Sequence, residues 1–257
     1  MSVDVGVEAG LSNPTPERDG GMQSFLQVSE TSARMVRELG CFGFQLGGGA
    51  VDFALGRYRR PHKDVDMVYV VGEGNWSDYL LNPLGVAAET SRLRDMGRES
   101  GGSVTRTPLA MERTGVSGVR MDGGGDFPIR VDFLEAYRHE ENGEEYVMLS
   151  LYVGGSYIKI PLREIVEREI DGVAVRVPTV EVQLIMREQC ANVLESVKGG
   201  LFPDWRRKAR QDMRELRGQA DPAKLAELKQ RGVGFNFSLG ATVRFNATRL
   251  FRAVAGF

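Results

Sequence analysis

From Ser24 to Leu39 apolar residues recur at roughly helical spacing (Phe25, Val28, Ala33, Met35, Val36, Leu39), and Gly40 follows as a stop, so this stretch predicts a helix. Phe42 to Leu46 reads as a short strand. Val65 to Val71 is nearly continuous apolar and β-branched, the pattern of an interior strand, and it ends at Gly72. Pro83 to Arg98 predicts a helix, and the Gly- and Arg-rich interval Gly101 to Gly125 predicts weakly patterned hairpins. Strands are predicted at Ile129–Tyr137, Tyr146–Val153, Tyr157–Ile160 and Val173–Val177, with Asn142-Gly143 as a turn signal. From Thr179 onward the period becomes helical. Thr179 can cap a helix that carries Val180, Leu184, Ala191 and Leu194 on one face and stops at Gly199-Gly200; further helices fit Asp204–Leu216, Pro222–Gln230 and Ala241–Ala255. The expected class is α+β: a mixed β-sheet core flanked by helices over 22–178, then a helical C-terminal region over 179–257. Residues 1–21, rich in Gly, Ser, Pro and acidic side chains without apolar periodicity, predict a disordered tail.

With 257 residues and 42% hydrophobic content, the chain is long enough to bury a substantial core. Its formal charge of −2 excludes coating of DNA by bulk electrostatics, so no DNA partner is expected and any nucleic acid must be engaged locally. Cys41 and Cys190 are too few for a disulfide scaffold or a zinc site. There is no long apolar run and no basic start followed by an apolar segment, so the expectation is a cytoplasmic protein without a membrane partner.

Candidate chemistry sits between Leu46 and Met67. Asp64 and Asp66 are two apart on a predicted strand and leave its same face, where they can converge on a hard cation. Asp132, on the opposite face of its strand from Val131 and Phe133, supplies a third carboxylate if that strand pairs with the first. Such a cluster is costly without a cation, because like charges raise one another's pKa, so it implies Mg²⁺, with two ions expected. Two ions would clamp an in-line displacement at phosphorus and neutralise a pyrophosphate leaving group. Gly47 and Gly48 allow close approach of a triphosphate to the backbone, and a helix beginning near Gly49 offers free N–H groups. Arg57, Arg59, Arg60 and Lys63 lie close enough in sequence to add positive charge at the phosphates.

Plainer readings exist for several of these residues. Asp-x-Asp is common, and adjacent glycines are usually a loop. His62 is either a ligand or base, or a histidine bonded to backbone; His139 reads as solvated. The basic run Arg206, Arg207, Lys208 and Arg210 is either an exposed helix face or a phosphate contact. Glu135, Glu140, Glu141, Glu144 and Glu145 offer an acidic environment for a cationic acceptor, or, for the last four, an acidic hairpin kept soluble by its charges.

Gly47-Gly48, Val51-Asp52, Leu55-Gly56, Arg60 and His62-Lys63-Asp64-Val65-Asp66 together resemble the nucleotidyltransferase superfamily that includes DNA polymerase β, most closely its aminoglycoside and lincosamide branch. The aromatic residue that often follows the Gly pair in that branch is Gly49 here. By this resemblance Asp64, Asp66 and Asp132 are the catalytic and metal-binding carboxylates of a nucleotidyltransferase core. The activity implied is transfer of a nucleoside monophosphate, with ATP as the expected NTP, to a hydroxyl of a small polar acceptor. Gly47, Gly48, Arg57, Arg60, Lys63 and Lys208 are the expected nucleotide contacts. Val177-Pro178-Thr179-Val180-Glu181, with Arg206-x-Lys208 and Asp212, is similar to nucleotidyltransferases of toxin–antitoxin and phage-defence systems, which makes tRNA the alternative acceptor. A non-catalytic nucleotide-binding module on the same fold is a third reading.

Overall fold

A computed structural model describes residues 16–73, 92–93, 95–96, 99, 103–104, 116–121, 129–150, 157–196 and 203–236. Helix α1 (Pro16–Glu38) precedes strand β1 (Phe42–Leu46), helix α2 (Gly47–Ala54) and strand β2 (Asp64–Glu73). Strands β3 (Ser103–Val104), β4 (Val116–Met121), β5 (Ile129–Glu141), β6 (Glu144–Ser150) and β7 (Tyr157–Pro161) follow, then the hairpin β8 (Ile165–Ile170) and β9 (Val173–Pro178). Helices α3 (Val180–Ser196), α4 (Pro203–Arg217) and α5 (Pro222–Gln230) lead to the short strand β10 (Gly234–Asn236). The class is α+β.

The main sheet runs β1-β2-β5-β6-β7-β10, with β4 alongside β5 and β3 alongside β4. Among the described residues the β2–β5 pair is parallel and the other pairs of this sheet are antiparallel, so the sheet is mixed. Strand alternation sorts β1, β2 and β5 between two cores. Val65, Met67, Tyr69, Val131 and Phe133 face one side and pack with Phe25, Val36, Phe53 and Val177 from α1, α2 and β9. Phe44, Leu46, Val68, Val70 and Ala136 face the other and pack with Val182, Ile185, Leu228 and Val233. Asp64, Asp66 and Asp132 share the parity of this second set. The carboxylates therefore lie at one end of the sheet face that the C-terminal helices cover.

Several boundaries differ from expectation. Helix α1 starts at Pro16 rather than Ser24, so the last residues of the expected tail are helical. Helix α2 starts at Gly47 rather than Gly49. Strand β8 was not predicted, because Glu167, Arg168 and Glu169 are all exposed and break the alternation. Across the expected boundary at 178/179, α3 and α5 share a core with β1 and β2, and β10 pairs with β7. Of the interval Gly101–Gly125, the described residues form β3 and β4, paired antiparallel. The predicted helix Pro83–Arg98 is described only at 92–93 and 95–96, which are helical, with Leu93 fully buried. The predicted stop at Gly199-Gly200, the last three residues of Tyr146–Val153 and the helix Ala241–Ala255 lie outside the described residues. Among the described residues no helix is long and apolar enough to cross a membrane.

Candidate active site

The site is set by two strand registers. In the β1–β2 pair Leu46 stands opposite Asp66, so the chain turns into α2 beside that carboxylate. Gly47 makes this turn at φ +75°, a conformation side chains disfavour. A Cβ at Gly47 would overlap the Asp66 carboxylate, so the absence of a side chain lets the acid lie against the backbone. In the parallel β2–β5 pair Asp66 stands beside Asp132, and Asp64 beside Arg130. The three acids thus occupy neighbouring positions on two adjacent strands at the rim of the Gly47 turn.

Burial and charge act differently on each. Asp64 is exposed and Asp66 partly buried. Desolvation, then the proximity of Asp64 and Asp132, pushes the Asp66 carboxyl up to about 7, against the pull of Arg187 and Arg130. Asp132 is also raised, chiefly by desolvation, but Arg130 opposes the shift by donating Nε–H to Oδ1 at 2.8 Å. Among the described residues no three His, Cys, Asp or Glu side chains converge closely enough to hold a metal as they stand. The donor set nonetheless suits a hard cation, since all three groups are carboxylates and the central one resists ionisation among its neighbours.

Facing the acids is a cleft of about 240 Å³ lined by Gly47, Gly48, Arg60, Pro61, His62, Lys63, Asp64, Asp66, Arg187, Lys208, Ala209 and Asp212. Seven sequence-predicted site residues line it: Gly47, Gly48, Arg60, Lys63, Asp64, Asp66 and, from α4, Lys208. Asp132 is outside the lining, its carboxylate turned toward Arg130. Arg57, expected at the nucleotide, has an exposed guanidinium that pairs with Glu215 of α4 at 2.9 Å and is not among the residues lining the cleft.

Arg59, expected at the phosphates, is buried instead. Its Nε donates to Asp52 Oδ1 at 2.6 Å and its Nη1 lies 2.9 Å from Asp212 Oδ1. Burial works against its charge, yet Asp52 and Asp212 more than offset that and raise its pKa. Asp212, only 1% exposed, also accepts from Arg60 Nη1 at 2.6 Å and Nη2 at 3.2 Å, and lies 3.6 Å from Arg187 Nε. Its burial would raise its pKa, but Arg60, Arg187 and Arg59 together hold it below the ordinary carboxylate range. This network joins α2, the 55–63 loop, α3 and α4, and it presents Arg60 and Arg187 to the cleft. Arg187 escaped the sequence reading; its signal was a lone arginine ending the apolar run Leu184-Ile185-Met186.

His62 bonds to a carboxylate rather than to backbone: its Nε2 lies 2.9 Å from Asp52 Oδ2, and its ring stacks at 4.7 Å from Phe25. Phe25 also explains Gly49, because a Cβ there would collide with its ring and with Gln45. The acidic hairpin is not part of the site. Glu140 is eight residues from Asp132 along β5, about 26 Å of extended chain. Glu141 and Glu144 pair there with Lys159 and Arg231, and Glu135 is buried against Tyr69 and Tyr137.

No protein-family model matches the chain, and no curated protein does. Among solved structures, the antibiotic-resistance factor ANT(2'')-Ia in solution aligns over 92% of this chain and 98% of its own at 16% identity, with a TM-score of 0.48. The lincomycin-bound lincosamide antibiotic adenylyltransferase LnuA aligns over 73% and 92% at 12% identity, with a TM-score of 0.42. An antigenic nucleotidyltransferase-like protein from Paracoccidioides brasiliensis aligns over 77% and 78% at 15% identity, with a TM-score of 0.46. Likeness at this level does not decide function, which has to be read from the residues of the cleft.

Proposed function

We propose that this protein is a metal-dependent nucleotidyltransferase that moves a nucleoside monophosphate, AMP in the first instance, from an NTP to an acceptor hydroxyl and releases pyrophosphate. The observation that carries this reading is the β2–β5 register, which sets Asp132 beside Asp66, with Asp64 and Asp66 lining a cleft walled by Arg60, Lys63, Arg187 and Lys208. Asp64, Asp66 and Asp132 are the residues that would hold Mg²⁺. When bound, the cation supplies charge neutralisation at the α-phosphate and lowers the pKa of the attacking hydroxyl.

The chain's own groups do the rest. Gly47 and Gly48 bring backbone N–H groups of the first turn of α2 to the phosphate oxygens. Arg60 and Lys63 from the loop and Lys208 from α4 offset the charge of the triphosphate and stabilise the departing pyrophosphate. Asp212 keeps Arg60 and Arg187 side by side, which their mutual repulsion would otherwise oppose. The acceptor side is read as open to a small polar hydroxyl compound. One observation favours tRNA as a second reading: Lys208 enters the cleft from a helix whose exposed positions include Arg207, Arg210, Arg214 and Arg217, a basic strip leading away from the site.

The test is incubation with Mg²⁺ and α-labelled ATP, GTP, CTP or UTP in the presence of tobramycin, lincomycin or bulk tRNA, with products resolved by mass. Addition of one NMP to an antibiotic supports the first acceptor class. Labelling of tRNA that declines steeply with salt supports the second. Nucleotide binding with no transfer to any acceptor or to water would leave the non-catalytic module as the correct description.

A further inference from the structure

Arg130 and Asp132 are two apart on β5 and leave the same face of the strand. Arg130 Nε donates to Asp132 Oδ1 at 2.8 Å, with the arginine side chain 43% exposed and the aspartate 15%. The backbone N–H of Arg130 is anchored to the Lys63 carbonyl at 3.1 Å, and its register partner on β2 is Asp64. Arg130 therefore stands within the acid group itself, at the rung next to Asp66 and Asp132.

Given nucleotidyl transfer at this site, we propose that Arg130 is a positioning residue that competes with a divalent cation for the Asp132 carboxylate. Asp132 joins Asp64 and Asp66 as a ligand by leaving Arg130. The movement needed is small, because Asp66 and Asp132 lie one strand spacing apart, about 4.8 Å, and rotation of the Asp132 side chain bridges that without shifting the backbone. The exchange is driven by charge. With all three carboxylates ionised and one guanidinium the group carries −2, and a divalent cation competes with the arginine for the negative charge of Asp132. Arg130, nearly half exposed, then turns to water, where its charge is solvated. The opposite assignment, in which Arg130 orients Asp132 for the metal, predicts the reverse effect of removing the arginine.

The discriminating measurement is Mn²⁺ affinity without nucleotide, followed by the electron paramagnetic resonance of free Mn²⁺ in titrations of the full-length protein. Arg130→Gln should bind Mn²⁺ about tenfold more tightly than wild type, the usual size of coupling between competing ligands. Arg130→Lys, which retains the positive charge and guards against a folding artefact, should stay within about twofold of wild type. In an Asp132→Asn background the Arg130→Gln gain should vanish. Unchanged or weaker Mn²⁺ binding in Arg130→Gln overturns the competition while leaving the metal centre intact, and so does an equal gain in the Asp132→Asn background. If wild type and Arg130→Gln both fail to bind Mn²⁺, the metal-centre reading falls and the competition with it.

Discussion

Asp66→Asn should make the protein more stable while abolishing nucleotidyl transfer. Burial and the neighbouring acids lift the Asp66 carboxyl from 3.8 to about 7 in the folded chain. The native state therefore holds a proton that the unfolded chain releases near pH 4. Stability associated with this group is fully present below about pH 4 and is lost as pH rises through about 7. The gap between the two values corresponds to about 4 kcal/mol once the group is ionised, and partial solvent contact reduces this to about 2–4 kcal/mol. Asparagine has no charge to desolvate. The variant should match wild type in urea unfolding near pH 4 and exceed it by about 2–4 kcal/mol at pH 8. Saturating Mg²⁺ should narrow the difference at pH 8 by stabilising only wild type, because a ligand that binds the native state adds its binding free energy to folding. A stability difference that is flat between pH 4 and 8, or a variant less stable than wild type at pH 8, would refute the electrostatic account of the site.

Three further outcomes follow from the geometry. Asp212→Ala leaves Arg59, Arg60 and Arg187 gathered without their shared carboxylate and should cost about 3–5 kcal/mol in urea unfolding, the usual consequence of removing one partner of a buried ion pair. Gly49→Phe should lower thermal stability by at least about 1–3 kcal/mol because Phe25 fills that space, and Phe25→Ala in the same chain should recover part of the loss; purely additive losses would contradict the packing. Lys208→Ala should raise the KM for NTP about tenfold, whereas Arg57→Ala, whose exposed pair with Glu215 is worth less than about 1 kcal/mol, should leave KM and stability close to wild type.

The parts of this fold that could be read from sequence are those where burial alone decides the pattern. In strand β2, Val65 and Met67 to Val70 are buried, which matches its apolar run, and strand alternation places Asp64 and Asp66 on one face. The pairing of β2 with β5, stated as a condition from sequence, is a long-range register that no local pattern encodes. Strand β8 was hidden by three consecutive exposed charged residues. Its hairpin did leave a signal in Asp171-Gly172, at φ 49° and 81°, a two-residue turn of the same kind as Asn142-Gly143. The fates of Arg57, Arg59 and Arg60 were not legible, because their partners Glu215 and Asp212 lie on α4, more than 150 residues away. Nearby basic residues look alike in sequence, and only that distant helix decides which one is exposed, which is buried and which faces the cleft.

Mg²⁺-dependent transfer from α-labelled ATP, measured in parallel for wild type and for Asp64→Asn, Asp66→Asn and Asp132→Asn, each shown to be folded, tests the central claim most directly. The account predicts label on an acceptor with wild type and a loss of at least about 10²-fold with each variant. Wild-type rates in any of the three, or transfer by wild type that persists when divalent cations are chelated, would contradict it.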